Sequence, residues 1–141
     1  DSKSYSHIDL HPYILKLADS LQTINNHNRE IKLHYDIDNI SLPITKAIPC
    51  GLIINEVITN SFKYAFNGKK NGNIFISLKN SGDSIKLSIH DDGEGLPDKF
   101  SLDNCETMGY TIVKELSNQL DGNSEIGSED GAFFKLIFPS N

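Results

Sequence analysis

Ten residues near the middle of the chain, Asn55-Glu56-Val57-Ile58-Thr59-Asn60-Ser61-Phe62-Lys63-Tyr64, constrain it more than any other stretch. On a helix advancing about 100° per residue, with Glu56 at zero, Asn60 falls at roughly 40° and Lys63 at roughly −20°. A carboxylate, an amide and an ammonium thus share one narrow stripe. On the opposite side, Ile54, Ile58, Ser61 and Ala65 form a small, apolar face that can pack on a sheet, while Leu52, Ile53, Val57 and Phe66 border the stripe. A polar stripe walled by apolar residues describes one side of a pocket. The wetted face of an ordinary amphipathic helix fits the same residues, and this segment alone does not separate the two.

Around that helix the chain alternates helical and strand signals. Leu10, Ile14, Leu17 and Leu21 predict a helix from Ile8 to about Thr23, with Pro12 tolerable in its first turn. Ile31, Leu33, Tyr35 and Ile37 alternate with polar residues as a half-buried strand does, and the long helix to Phe66 follows Pro43 and Pro49. Residues 67–72 are a turn cluster. Strands are predicted at Asn73–Lys79 and Ser84–Asp91, then a polar loop from Gly93 to about Glu106. A helix over Gly109–Leu120 closes at Asp121-Gly122, and strands near Ser124–Ser128 and Ala132–Phe138 end the pattern at Pro139. Strands joined by short turns imply a mixed, mostly antiparallel sheet with helices on one face, an α+β two-layer sandwich. At 141 residues it is one domain.

Charge and cysteine content narrow the function. A net charge of −6 argues against nucleic-acid binding through a broad basic surface, and a polyanionic ligand would need a cation or backbone amides beside it. Cys50 and Cys105 form no CxxC or zinc spacing, so a reducing, cytoplasmic setting is expected. No apolar run reaches the roughly 18 residues of a membrane span, so direct membrane insertion of this domain is not expected, whether or not a parent protein is anchored. The chain begins at Asp1, which points to a fragment of something longer.

Three further segments carry chemistry. Asp91-Asp92-Gly93-Glu94-Gly95-Leu96-Pro97 follows an apolar strand, and its glycines let the backbone turn and approach a flat ligand closely. A carboxylate at that strand end can accept a hydrogen bond from an exocyclic amine such as adenine's. The spaced ligands of an EF-hand, the P-loop and GxGxxG are all missing. Thr107-Met108-Gly109-Tyr110-Thr111-Ile112-Val113 opens a helix whose first free N–H groups suit phosphate. Gly131-Ala132-Phe133 leads into the last strand.

In this order, the four elements resemble the Bergerat-type ATP-binding fold shared by gyrase, Hsp90, histidine kinases and MutL. Asn55–Lys63 looks like the N-box, Asp91–Gly95 and Met108–Val113 like the two glycine boxes, and Gly131–Phe133 like the last. Residues Ala47–Glu56, Lys63–Phe66, Asp92–Pro97 and Ile137–Pro139 resemble more narrowly the sensor histidine kinases with the second-type dimerisation domain.

The resemblance implies a kinase using ATP and Mg²⁺. Asp91 would bind the adenine amino group over Gly93 and Gly95, and Asn60 would be the metal ligand. Lys63 would stand near the phosphates, with Tyr64, Met108, Gly109 and Gly131 completing the nucleotide contacts and Glu56 in a catalytic position whose role stays open. It also implies a phosphoacceptor histidine domain of the same protein, upstream of Asp1, a homodimer in the full-length protein, and a response regulator as the next acceptor. His7, His11, His27, His34 and His90 lack the context of that acceptor histidine. Two departures stand out: Ala132 replaces the usual threonine after Gly131, and Asp98–Glu106 is a short, acidic lid. An anti-sigma-factor serine kinase, or a degenerate module that binds without turnover, are the alternatives.

Overall fold

A computed structural model describes residues 6–66, 68–96 and 110–140. Its elements run β1 (His7–Asp9), α1 (Leu10–Asn25), β2 (Glu30–Ile37), β3 (Ser41–Pro43), α2 (Ile44–Asn60), β4 (Asn71–Ser81), β5 (Ser84–Asp91), α3 (Tyr110–Gln119), β6 (Asn123–Ser128) and β7 (Ala132–Pro139). After Asn60 the long helix widens into a π turn over Ser61–Ala65. Five strands form one sheet in the order β2-β4-β5-β7-β6, while β1 and β3 pair separately. Only β2–β4 is parallel in the large sheet. The chain between those two strands passes through α2, the kind of crossover that parallel pairing requires. The α+β sandwich predicted from the strand pattern is therefore the fold.

Alternation along the strands decides which face is covered. Ile74, Ile76 and Leu78 of β4, Ile85, Leu87 and Ile89 of β5, and Phe134, Leu136 and Phe138 of β7 are all buried. They meet Leu10, Ile14 and Ala18 of α1, Ile53, Ile54, Val57 and Ile58 of α2, and Val113 and Leu116 of α3 in one core. Each Val, Leu, Ile or Phe side chain among them contributes about 1.5–3 kcal/mol when fully buried. The opposite face of the sheet is open. There Phe75, 41% exposed, is stacked between His34 and His90, with ring centroids 4.8 and 6.0 Å away.

Several boundaries differ from the sequence pattern. The first helix starts at Leu10, because residues 7–9 form β1 and hydrogen-bond with β3 instead. Pro49 lies inside α2, not ahead of it. Its missing N–H leaves one early-turn carbonyl without its helical donor, a cost the buried face of α2 outweighs. Cys50 is fully buried, and burial pushes its thiol pKa up to about 12, which suits packing and not redox chemistry. Cys105 lies outside the described residues.

Candidate functional site

Asp91 ends β5 on the covered face of the sheet, where an ordinary sequence would place another isoleucine. It is 1% exposed, and among the described residues it is the only acidic one in the buried polar group. Its Oδ1 accepts the backbone N–H groups of Gly93 and Ala132, each at 3.0 Å. Its Oδ2 accepts the Ser61 hydroxyl, also at 3.0 Å. Burial raises the Asp91 pKa, opposed by those three hydrogen bonds and by the nearby His90. A carboxylate has about four lone-pair sites, so three protein donors leave one open on Oδ2.

By sequence, Ser61 is a small residue of the packing face. It does pack there, at 6% exposure, but its hydroxyl also turns to Asp91. The same oxygen lies 3.2 Å from the Val57 carbonyl, so one proton has two possible acceptors. Ser61→Ala is expected to remove a donor from a buried carboxylate at a cost of about 1–3 kcal/mol. It should also raise the Asp91 pKa further. Chemical denaturation at pH 7 together with NMR titration of the carboxylate would check both.

The glycines bring main chain against main chain. A Cβ on Gly93 would lie 2.4 Å from the Ala65 carbonyl oxygen, and one on Gly131 would lie 1.8 Å from that of Asp91. The first contact is secured by Glu94, whose N–H donates to the Ala65 carbonyl at 3.0 Å. Gly95 has φ +83°, and beyond it the Leu96 N–H donates to Ser128 Oγ at 2.7 Å. Asp92 points the other way. Partial burial works against its charge, but donors from Asn73 at 2.7 and 2.9 Å hold its pKa below the usual range.

On the helix side, Asn60 is buried and adjoins Ser61, so its amide stands one residue from the contact to Asp91. Glu56, one turn earlier, is half-buried. The constant 100° step behind the predicted stripe ends at Asn60, because the π turn is wider. Lys63 and Tyr64 ride on that turn and are exposed, while Asn60 is not. The structure therefore brings Asp91, Gly93, Gly131, Ser61 and the Asn60 end of α2 together. Met108, Gly109 and the segment Asp98–Glu106 lie outside the described residues. An open depression of about 330 Å³ lined by Ser88, His90, Glu129, Asp130, Phe133 and Lys135 belongs to the other face of the sheet. His90 bonds there to the Glu129 carbonyl and is no part of the Asp91 site.

The fold has known counterparts. The family model for histidine kinase-, DNA gyrase B-, and HSP90-like ATPases matches residues 45–141, and the chain belongs to that family. Over 110 residues it is 29% identical to blue-light-activated histidine kinase 2 of Erythrobacter litoralis, covering 77% of this chain and 32% of that protein. Sensor histidine kinase PdtaS of Mycobacterium tuberculosis is 28% identical over 117 residues, covering 82% of this chain and 23% of its own. The solved structure of the E. litoralis blue-light-activated histidine kinase EL346 matches with a TM-score of 0.86 at 25% identity, over 94% of this chain and 42% of that one. The chain thus spans a third or less of the length of these curated kinases. No helix among the described residues is long and apolar enough to cross a membrane.

Proposed function

We propose that this domain binds Mg-ATP and passes its γ-phosphoryl group to a histidine on a separate dimerisation domain, as the catalytic part of a two-component sensor kinase. The reading rests on Asp91: a buried carboxylate with three protein donors and one acceptor position left, at a strand end beside glycine-lined main chain. The exocyclic amine of adenine is a donor of the right kind for that position. Higher identity to sensor kinases than to the anti-sigma F factor of Geobacillus stearothermophilus, at 24%, favours a histidine acceptor over a serine.

The residues present fit magnesium better than a metal held by protein alone. Among the described residues no group of three or more His, Cys, Asp or Glu could enclose an ion. Magnesium commonly keeps one or two protein oxygens and takes the rest from phosphate and water, and the buried Asn60 amide offers such an oxygen. When bound, the ion supplies neutralisation of phosphate charge. Asn60 orients the phosphates, and Lys63 supplies a point charge near them. Glu56 lies half-buried one turn before Asn60 on the same helix, and its catalytic role stays open. The imidazole lone pair then forms the N–P bond as the Pγ–O bond to ADP breaks. Positioning and charge, not covalent chemistry by the protein, lower the barrier. The acceptor histidine comes from a neighbouring domain, in the same chain or across a dimer, and a response-regulator aspartate receives the phosphoryl group afterwards.

Calorimetric titration of ATP with and without Mg²⁺, followed by incubation with a supplied histidine-bearing dimerisation domain, tests this. Acid-labile phosphate on that domain is the expected product. Asn60→Ala should weaken Mg-dependent ATP binding by about tenfold or more, the scale of one charge-assisted contact, and spare adenosine. Equal losses for ATP and adenosine would remove Asn60 from the metal site, and binding without any transfer would favour a non-catalytic module.

A further inference from the structure

Arg29 is the chain's single arginine, and among the described residues every hydrogen bond from its side chain goes to a main-chain carbonyl. It follows two residues in the left-handed region, His27 at φ +46° and Asn28 at φ +65°, which turn the chain sharply after α1. From there the guanidinium reaches two places at once. Nε donates to Asn26 at 3.0 Å and Nη2 to Asn25 at 2.7 Å, at the end of α1. Nη1 donates to both Phe62 and Phe66 at 3.2 Å, within and just after the π turn. The guanidinium carbon also lies 5.8 Å from the Phe62 ring centroid.

The last carbonyls of a helix lack helical donors and carry partial negative charge, so a cation there is favoured. A planar fork of five fixed donors suits four carbonyls at two helix ends, where an ammonium brings three donors on one compact point charge. The turn Arg29 grips is also the one that meets the site. It carries Lys63 and Tyr64, and its Ala65 carbonyl accepts the Glu94 N–H under the glycine loop. Asp91, by contrast, takes two of its three donors, the Gly93 and Ala132 N–H groups, from outside that turn, and only Ser61 from its first residue.

We infer that Arg29 is a positioning residue for the phosphate side of the nucleotide site: it fixes the wide turn after Asn60 and through it the placement of Lys63 and Tyr64. This rests on the ATP reading above. Loss of the fork should therefore weaken ligands with phosphates more than the nucleoside alone, whereas a residue that only stabilised the fold would weaken both alike.

The experiment compares ATP and adenosine affinities of the full 141-residue chain with those of Arg29→Lys and Arg29→Ala, at a temperature where thermal unfolding shows each folded. In both variants the ATP affinity is expected to fall about tenfold and adenosine less than about threefold, a gap on the scale of one charge-dependent contact. Millimolar methylguanidinium should restore ATP binding to Arg29→Ala and leave Arg29→Lys unchanged. Equal losses for the two ligands, or no loss, would overturn the role. Should Arg29→Ala fail to fold, the ATP-to-adenosine ratio of Arg29→Lys decides alone. A parent chain that binds neither ligand would overturn the nucleotide reading itself, an outcome distinct from a parent that binds and variants that match it.

Discussion

Asp91→Asn is expected to weaken ATP at least about 100-fold while leaving the fold as stable as the parent, or more so. The asymmetry follows from the contacts. Asparagine can keep its carbonyl oxygen where Oδ1 now accepts the Gly93 and Ala132 N–H groups. Its NH₂ then replaces Oδ2, and Ser61 can respond by donating to the Val57 carbonyl, already 3.2 Å away, while accepting from the amide. Each of the three protein contacts of the carboxylate is thereby kept, and the second amide N–H faces the open position. The open position, however, now offers a donor to the donor of adenine, and loss of a charged acceptor plus an unpaired donor amounts to about 3 kcal/mol or more. Stability moves the other way. Burial raises the Asp91 pKa, so the folded chain holds its proton more tightly than the unfolded chain does. Stability from this group is complete below the ordinary value of 3.8 and is lost as pH rises through the raised value. At pH 7 the parent carries that penalty and the asparagine variant does not. The stability gap between them should close as pH falls, and denaturant titrations at pH 7 and pH 4 would reveal it. A variant that loses stability and nucleotide affinity together at pH 7 would show that Asp91 is a structural carboxylate.

Much of this was legible in the residues. The two strands predicted at Asn73–Lys79 and Ser84–Asp91 form within β4 and β5, and the alternation in 74–78 and 85–89 marks their covered face, because a half-covered sheet forces a period of two. Asp91 stands out by breaking the apolar sequence of that face at its last position. What could not be read has physical reasons. β1 and β3 are three residues each, too short for any period, and they exist because they pair with each other. Pro49 reads as a helix breaker, yet the residues flanking it, Ala47, Cys50 and Ile53, are fully buried and hold the helix through it. Parallel and antiparallel partners impose the same alternation on β2, so its direction was hidden. The π turn has no pattern of its own: it is specified by the distant Arg29 and by the glycine loop against Ala65. For the same reason Ser61 looked like packing alone. Its partner lies 30 residues away.

Gly131→Ala should cost more stability than any other single methyl added to the site. Gly131 has φ +121°, outside the range side chains normally adopt, and its added Cβ would lie 1.8 Å from the Asp91 carbonyl oxygen and 3.0 Å from the Asp92 Cα. Neither neighbour is the loose end of a side chain, so relief requires main chain to move. Overpacking costs about 1–3 kcal/mol and backbone strain about 1–3 kcal/mol more. Against a total of about 5–15 kcal/mol, the sum of about 2–6 is a large share. Gly82 separates the two contributions, since it too has a positive φ, +69°, but no atom within 4 Å of its would-be Cβ. Gly82→Ala should therefore show the strain alone, about 1 kcal/mol. The steric part has a second signature. The movement that admits a methyl at 131 separates β7 from the end of β5, and so stretches the Ala132 N–H bond to Asp91 Oδ1. Nucleotide binding should then fail even at temperatures where Gly131→Ala remains folded, while Gly82→Ala binds as the parent does. If both variants lost the same stability and both still bound ATP, the close approach of Gly131 to Asp91 would not be what shapes the site.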